Sequence, residues 1–130
     1  MFLRTLAITT FAFCSPIIAL SQTLEEEVRE GAEILRALLP LEFEGGVFLT
    51  SVEAVGNRTD YLYTLARNHT EVRPPAFRSQ TGELLYSIVC QEASMTEVMK
   101  RGGQYTYRYD TNDGYTLAYW VFNEKVCNLD

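Results

Sequence analysis

The chain has one histidine, three cysteines, one tryptophan and four prolines in 130 residues. A single imidazole, His69, cannot build a histidine-rich metal centre. It stands beside Asn68 near a predicted strand end, where an exposed, non-catalytic histidine is expected. No Cys-x-x-Cys pair is present to lower a thiol pKa, which removes dithiol redox chemistry. A glycine-rich phosphate loop, a Ser/His/Asp set and a plausible carboxylate pair are missing as well. The stretch Asp110-Thr111-Asn112-Asp113-Gly114 touches the pattern of a calcium loop. Counted from Asp110, however, glycine falls fifth instead of sixth, and Val121 stands where glutamate is needed. Asn-Asp-Gly between two alternating runs is a hairpin turn. No cofactor, metal or catalytic residue is therefore expected.

Basic charge is also scarce. Eleven Lys and Arg face 17 Asp and Glu, a net charge of −6, which argues against nucleic acid and anionic membrane surfaces as partners.

What is present begins at the N-terminus. Met1-Phe2-Leu3-Arg4 supplies one positive charge, and Thr5 to Leu20 is uncharged, with an apolar core from Leu6 to Leu20. Ala19-Leu20-Ser21 gives a small-x-small exit. The three parts form a secretory signal with cleavage after Ser21. Residues 22–130 then form a single domain, periplasmic or secreted, with no membrane insertion after cleavage. Removing Arg4 shifts the net charge from −6 to −7. Cys14 leaves with the signal, so Cys90 and Cys127 remain, and an even pair in a small exported domain reads as a disulfide. Closing so long a loop is worth roughly 3–4 kcal/mol in the chain-entropy picture.

The mature part opens on Thr23-Leu24-Glu25-Glu26, a capping-box pattern. Leu24, Val28, Ala32, Leu35, Leu38 and Leu39 follow at helical spacing until Pro40. After Gly45-Gly46 the period becomes two. Val47 to Ala54 and Tyr61 to Ala66 flank a Gly56–Asp60 turn and read as a hairpin. Arg67 to Arg78, with Pro74-Pro75 in its middle, reads as an ordered connection. Thr81 or Ser79 caps a second helix through Glu83 to Cys90, and Thr96 to Arg101 adds a turn or two before Gly102-Gly103. Gln104–Tyr109 and Tyr115–Phe122 form a closing hairpin. Its last strand is apolar on both faces, so a central or doubly covered position is expected. The fold class is α+β: about four antiparallel strands with two helices on one face, in the order α-β-β-α-β-β, and one disulfide.

Tyr105, Tyr107, Tyr109, Tyr115, Tyr119, Trp120 and Phe122 make an aromatic stripe. Packing of cross-strand pairs against a helix accounts for it; the functional alternative is a protein-binding surface. Tyr107, Arg108 and Trp120 are its candidate residues, with Arg73 and Arg78 from the proline-containing loop, where Arg67 also lies. Asn57-Arg58-Thr59 and Asn68-His69-Thr70 match the short glycosylation pattern.

Cys90, the helix around Met95 to Arg101, Gly103-Gln104-Tyr105-Thr106-Tyr107-Arg108-Tyr109-Asp110, Gly114 and Cys127 resemble small bacterial periplasmic proteins of uncharacterised function. Leu39-Pro40-Leu41 and Leu49-Thr50-Ser51-Val52 extend the likeness over most of the mature chain. It implies a helix-on-sheet domain, cystatin-like or pilotin-like, and bacterial export, with no catalytic residues to carry over. Two functions stay open. One is a non-enzymatic exported protein that binds another envelope or secreted protein as accessory, inhibitor or immunity factor. The other is a cone-shaped domain that holds a small ligand, or acts on one, in a pocket containing Arg108 and a carboxylate.

Overall fold

The computed structural model describes residues 22–129; the proposed signal segment lies outside them. Helix α1 spans Leu24–Arg36, and the Thr23 hydroxyl accepts the Glu26 backbone N–H at its start. Val28 and Ala32 are buried on its inner stripe. Strand β1 (Leu41–Phe43) turns through Gly45 and Gly46, both at positive φ, into β2 (Val47–Val55). Strand β3 is Arg58–Leu65, helix α2 Pro74–Val89, helix α3 Ala93–Lys100, strand β4 Gln104–Asp110 and strand β5 Thr116–Phe122. A short 3-10 turn, His69–Glu71, precedes α2.

The sheet runs in chain order, β1-β2-β3-β4-β5. Neighbours are antiparallel except β3 and β4, which run parallel from Arg58↔Gln104 to Thr64↔Asp110. The expected four antiparallel strands and two helices thus become, among the described residues, five mixed strands and three helices. The reason is the connection. Parallel neighbours need a crossover, and α2 with α3 supplies it. Leu41–Phe43 escaped the sequence reading because three residues show too little alternation. Pro74 and Pro75 sit at the first two positions of α2, where a fixed φ suits a helix and the lost N–H has no intrahelical role. The helix consequently starts well before Ser79 or Thr81.

Strand β5 is an edge, contrary to the expected central position. Ala118, Trp120 and Phe122 face the helices, while Tyr119 and Val121 are exposed on the other side. Between Tyr109↔Ala118 and Asp110↔Thr116 the register shifts, and Leu117 is the extra, buried residue.

All three helices lie on one face. Ala32 packs with Leu49 and Val52 under α1; Leu85 and Val89 of α2 and Met99 of α3 join Tyr105, Tyr107, Tyr109 and Phe122. Tyr61 and Tyr63 touch both groups and unite the core. The tyrosine rings continue across the strands: Tyr63 stacks on Tyr109 at 4.7 Å, and Tyr61 lies 4.9 Å from Tyr107. The disulfide joins Cys90, just past α2, to Cys127 beyond β5. It ties the crossover helix to the far end of the sheet.

Candidate partner-binding cleft

Helix α2 carries more apolar surface than its core contact uses. Leu85 and Val89 point into the sheet, while their neighbours Leu84 and Ile88, one turn apart from each other, are 60% and 53% exposed. Residues four apart share a helix face, so each doublet builds its own stripe. The inner stripe makes core; the outer one borders a cleft of about 490 Å³.

The opposite wall comes from the β1–β2 hairpin. Phe43, 48% exposed, leans on Tyr63 with ring centres 5.8 Å apart, and Glu44 and Val47 continue the rim and floor. The rest of the floor is Tyr63, Tyr107 and Tyr109, and Phe77 meets the Tyr109 ring edge-on at 5.4 Å. Burial pushes the Tyr63 phenol up to about 12 and raises those of Tyr107 and Tyr109 as well. The floor therefore stays uncharged at any physiological pH. Polar groups on the lining are few, chiefly Thr81 and the Glu44 carboxylate. Such a surface can take apolar side chains from a partner. Burying one Leu or Ile side chain stabilises by about 1.5–3 kcal/mol.

The five residues singled out from sequence do not form one patch. Tyr107 is 5% exposed and belongs to the core and cleft floor. Arg108 follows it in β4 and stands on the other side of the sheet, where it donates to Asp110 at 2.8 and 3.1 Å. Trp120 lies behind α2, with its indole 3.3 Å from where a Cβ on Gly82 would sit. Arg73 is the exposed residue before Pro74, without a capping side-chain bond. The Arg78 Nε donates to the Leu117 carbonyl at 2.9 Å and fastens α2 to the sheet edge. Alternation in β4 alone separates Tyr107 from Arg108. Phe43, Leu84 and Ile88 were missed. The legible signal was the pair of doublets Leu84-Leu85 and Ile88-Val89, twice the apolar width that one buried face needs.

His69 also has a fixed place. Its Nδ1 meets the Asp113 carboxylate, its backbone N–H donates to the same group at 3.1 Å, and its ring stacks on Tyr115 at 5.6 Å. This clips the loop before α2 to the β4–β5 turn. Among the described residues no cluster of three or more His, Cys, Asp or Glu is placed to hold a metal, and no helix is long and apolar enough to cross a membrane.

No family model matches the chain, and no curated protein does. Three solved structures share its fold. The chain is similar to EpsS, the pilotin of the type 2 secretion system of Vibrio vulnificus, at 19% identity and a TM-score of 0.67, over 80% of this chain and 91% of that one. It is similar to AspS, the type II secretion system pilotin of Vibrio cholerae, at 20% identity and 0.64, over 80% and 92%. A Pseudomonas aeruginosa protein described as secreted matches at 16% and 0.66, over 80% and 92%. The class is thus an α+β helix-on-sheet domain of the kind seen in these pilotins. At such identities the likeness establishes the fold.

Proposed function

We propose that this chain is a non-enzymatic accessory protein of a bacterial secretion apparatus, exported by residues 1–21 and acting as one domain, residues 22–130. It works by taking an amphipathic helix of an envelope protein into the cleft between α2 and the β1–β2 hairpin. The cleft carries the reading. Leu84, Ile88 and Phe43 expose apolar surface around a floor of tyrosine rings, and a helix laid in such a groove offers apolar residues at i, i+3/i+4 and i+7. Support for the setting comes from the fold shared with two type 2 secretion pilotins. The acidic rim residue Glu44 favours a partner helix with basic flanks.

The cone-shaped ligand pocket has less behind it. Arg108 and its carboxylate partner Asp110 pair on the face away from the helices, and neither lines the cleft on the helix side, whose floor is tyrosine rings.

Capture from envelope extracts of the native host tests the proposal, with the disulfide-bonded protein beside a Leu84→Asp/Ile88→Asp variant of unchanged thermal stability. The expected result is one stoichiometric component of a secretion apparatus, lost in the variant. Capture that survives the double substitution overturns the assignment of the cleft. Capture of nothing by either protein overturns the function.

A further inference from the structure

The face of the sheet opposite the helices carries a second feature, independent of the cleft. Two rows of side chains cross it. Ser51, Leu62, Arg108 and Tyr119 lie side by side in register, and next to them run Glu53, Asp60, Thr106 and Val121. A trough of about 280 Å³ lies over these rows.

Its two ends differ in chemistry. At the β2–β3 end Glu53 and Asp60 stand directly opposite each other, an arrangement of like charges that is unfavourable when left alone. Asp60 is satisfied: it accepts from the Arg58 guanidinium at 2.8 and 3.1 Å and from the Thr106 hydroxyl at 2.6 Å. The Glu53 carboxylate has no ion pair or hydrogen bond with any described residue. Arg108 is balanced by Asp110, which also accepts the Thr116 hydroxyl at 2.9 Å. The residual charge of the trough is therefore the single negative charge of Glu53. At the β5 end Tyr119 is 57% exposed. Unlike the strand tyrosines on the helix face, it has no aromatic partner among the described residues. The pairs around it hold the trough's polar groups in place before any ligand arrives, which lowers the cost of ordering them on binding.

We propose that this trough receives a short extended segment of a protein partner, with a lysine or arginine on Glu53 and an uncharged aromatic or apolar residue on Tyr119. Charge complementarity selects the cation at one end. With Arg108 balanced by Asp110, the Tyr119 end offers a second cation no unpaired charge. From β2 to β5 is three strand spacings, about 14 Å, which an extended chain spans in about four residues. Tyrosine anchors of this kind are enriched at binding hot spots.

The probe is a blocked peptide, Arg-Ser-Gly-Ser-Phe amide, titrated into the isotopically labelled, disulfide-bonded protein and followed by amide chemical shifts. Its control carries glutamate in place of arginine. Shifts are expected at Glu53, Asp60, Thr106 and Tyr119, with weaker binding as salt is raised. Glu53→Gln and Tyr119→Ala should each raise the dissociation constant at least fivefold. Both side chains are exposed, and a thermal melt verifies that the variants stay folded. The proposal is overturned if arginine and glutamate peptides bind alike, if the shifts follow the glutamates of α1 instead, if Glu53→Gln changes nothing, or if no binding is seen at millimolar peptide.

Discussion

Tyr107 and Arg108 are consecutive in β4 yet face opposite environments, the ring 5% exposed beneath the helices and the guanidinium on the open sheet face against Asp110. A strand turns successive side chains to opposite sides, so the pair samples core and surface within one peptide unit.

Alanine in the two positions should then behave differently. Tyr107→Ala removes a ring packed against Tyr61, Tyr63 and Phe122 and should cost about 3–5 kcal/mol, as large aromatic deletions in cores do. Arg108→Ala removes a half-exposed guanidinium but leaves the buried Asp110 carboxylate with only the Thr116 hydroxyl as side-chain donor, and should cost about 1–3 kcal/mol. Urea unfolding of both variants gives the comparison, and equal losses would contradict the assigned faces.

The Cys90–Cys127 bridge closes a loop that contains α3, β4 and β5. Replacing both cysteines by alanine should cost about 2–5 kcal/mol, largely by freeing the unfolded chain. Guanidinium unfolding of the double variant against the oxidised protein measures it, and a reductant should shift the parent alone.

Two pH effects follow from the side-chain surroundings. The Thr111 hydroxyl first, and then His69, hold the Asp113 carboxyl down to about 2, below its ordinary value of 3.8. A depressed carboxyl contributes stability that is fully present above the unfolded value and lost as pH falls through the folded one. The stability gap between the parent and Asp113→Asn should therefore shrink between about pH 4 and pH 2. At the alkaline end the sign reverses. Burial raises Tyr63 from 10 to about 12, so its stabilisation is complete below pH 10 and is lost as pH rises towards 12. Phenolate absorbance should show the buried tyrosines ionising only together with unfolding.

Much of this fold was legible in the chain. The Thr23 cap, the Val28 and Ala32 stripe and the hairpin of β2 with β3 follow from local pattern, and the pairing of Cys90 with Cys127 from the even pair left once Cys14 is set aside with the signal segment. The parallel pairing of β3 with β4 did not, because strand periodicity carries no direction. Pro74-Pro75 signals a loop or a helix start equally well until the next turns are known, and here it starts α2. The double apolar pattern of β5 was read as burial on both sides, but the structure uses one side for core and exposes Tyr119 and Val121. The cleft stayed hidden for a related reason. It needs Phe43 from a three-residue strand and Leu84 and Ile88 from α2, distant in sequence and joined only by the hairpin and the crossover.

The most direct test of the account is site-specific photo-crosslinking in the native host. A photoreactive phenylalanine analogue replaces Ile88 in the cleft wall or, as control, the exposed Glu30 on α1. Position 88 should yield one crosslinked species, a helical segment of a secretion-apparatus protein in the cell envelope, and position 30 none. No adduct from position 88, or the same adducts from both positions, would contradict the cleft as the working surface of this protein.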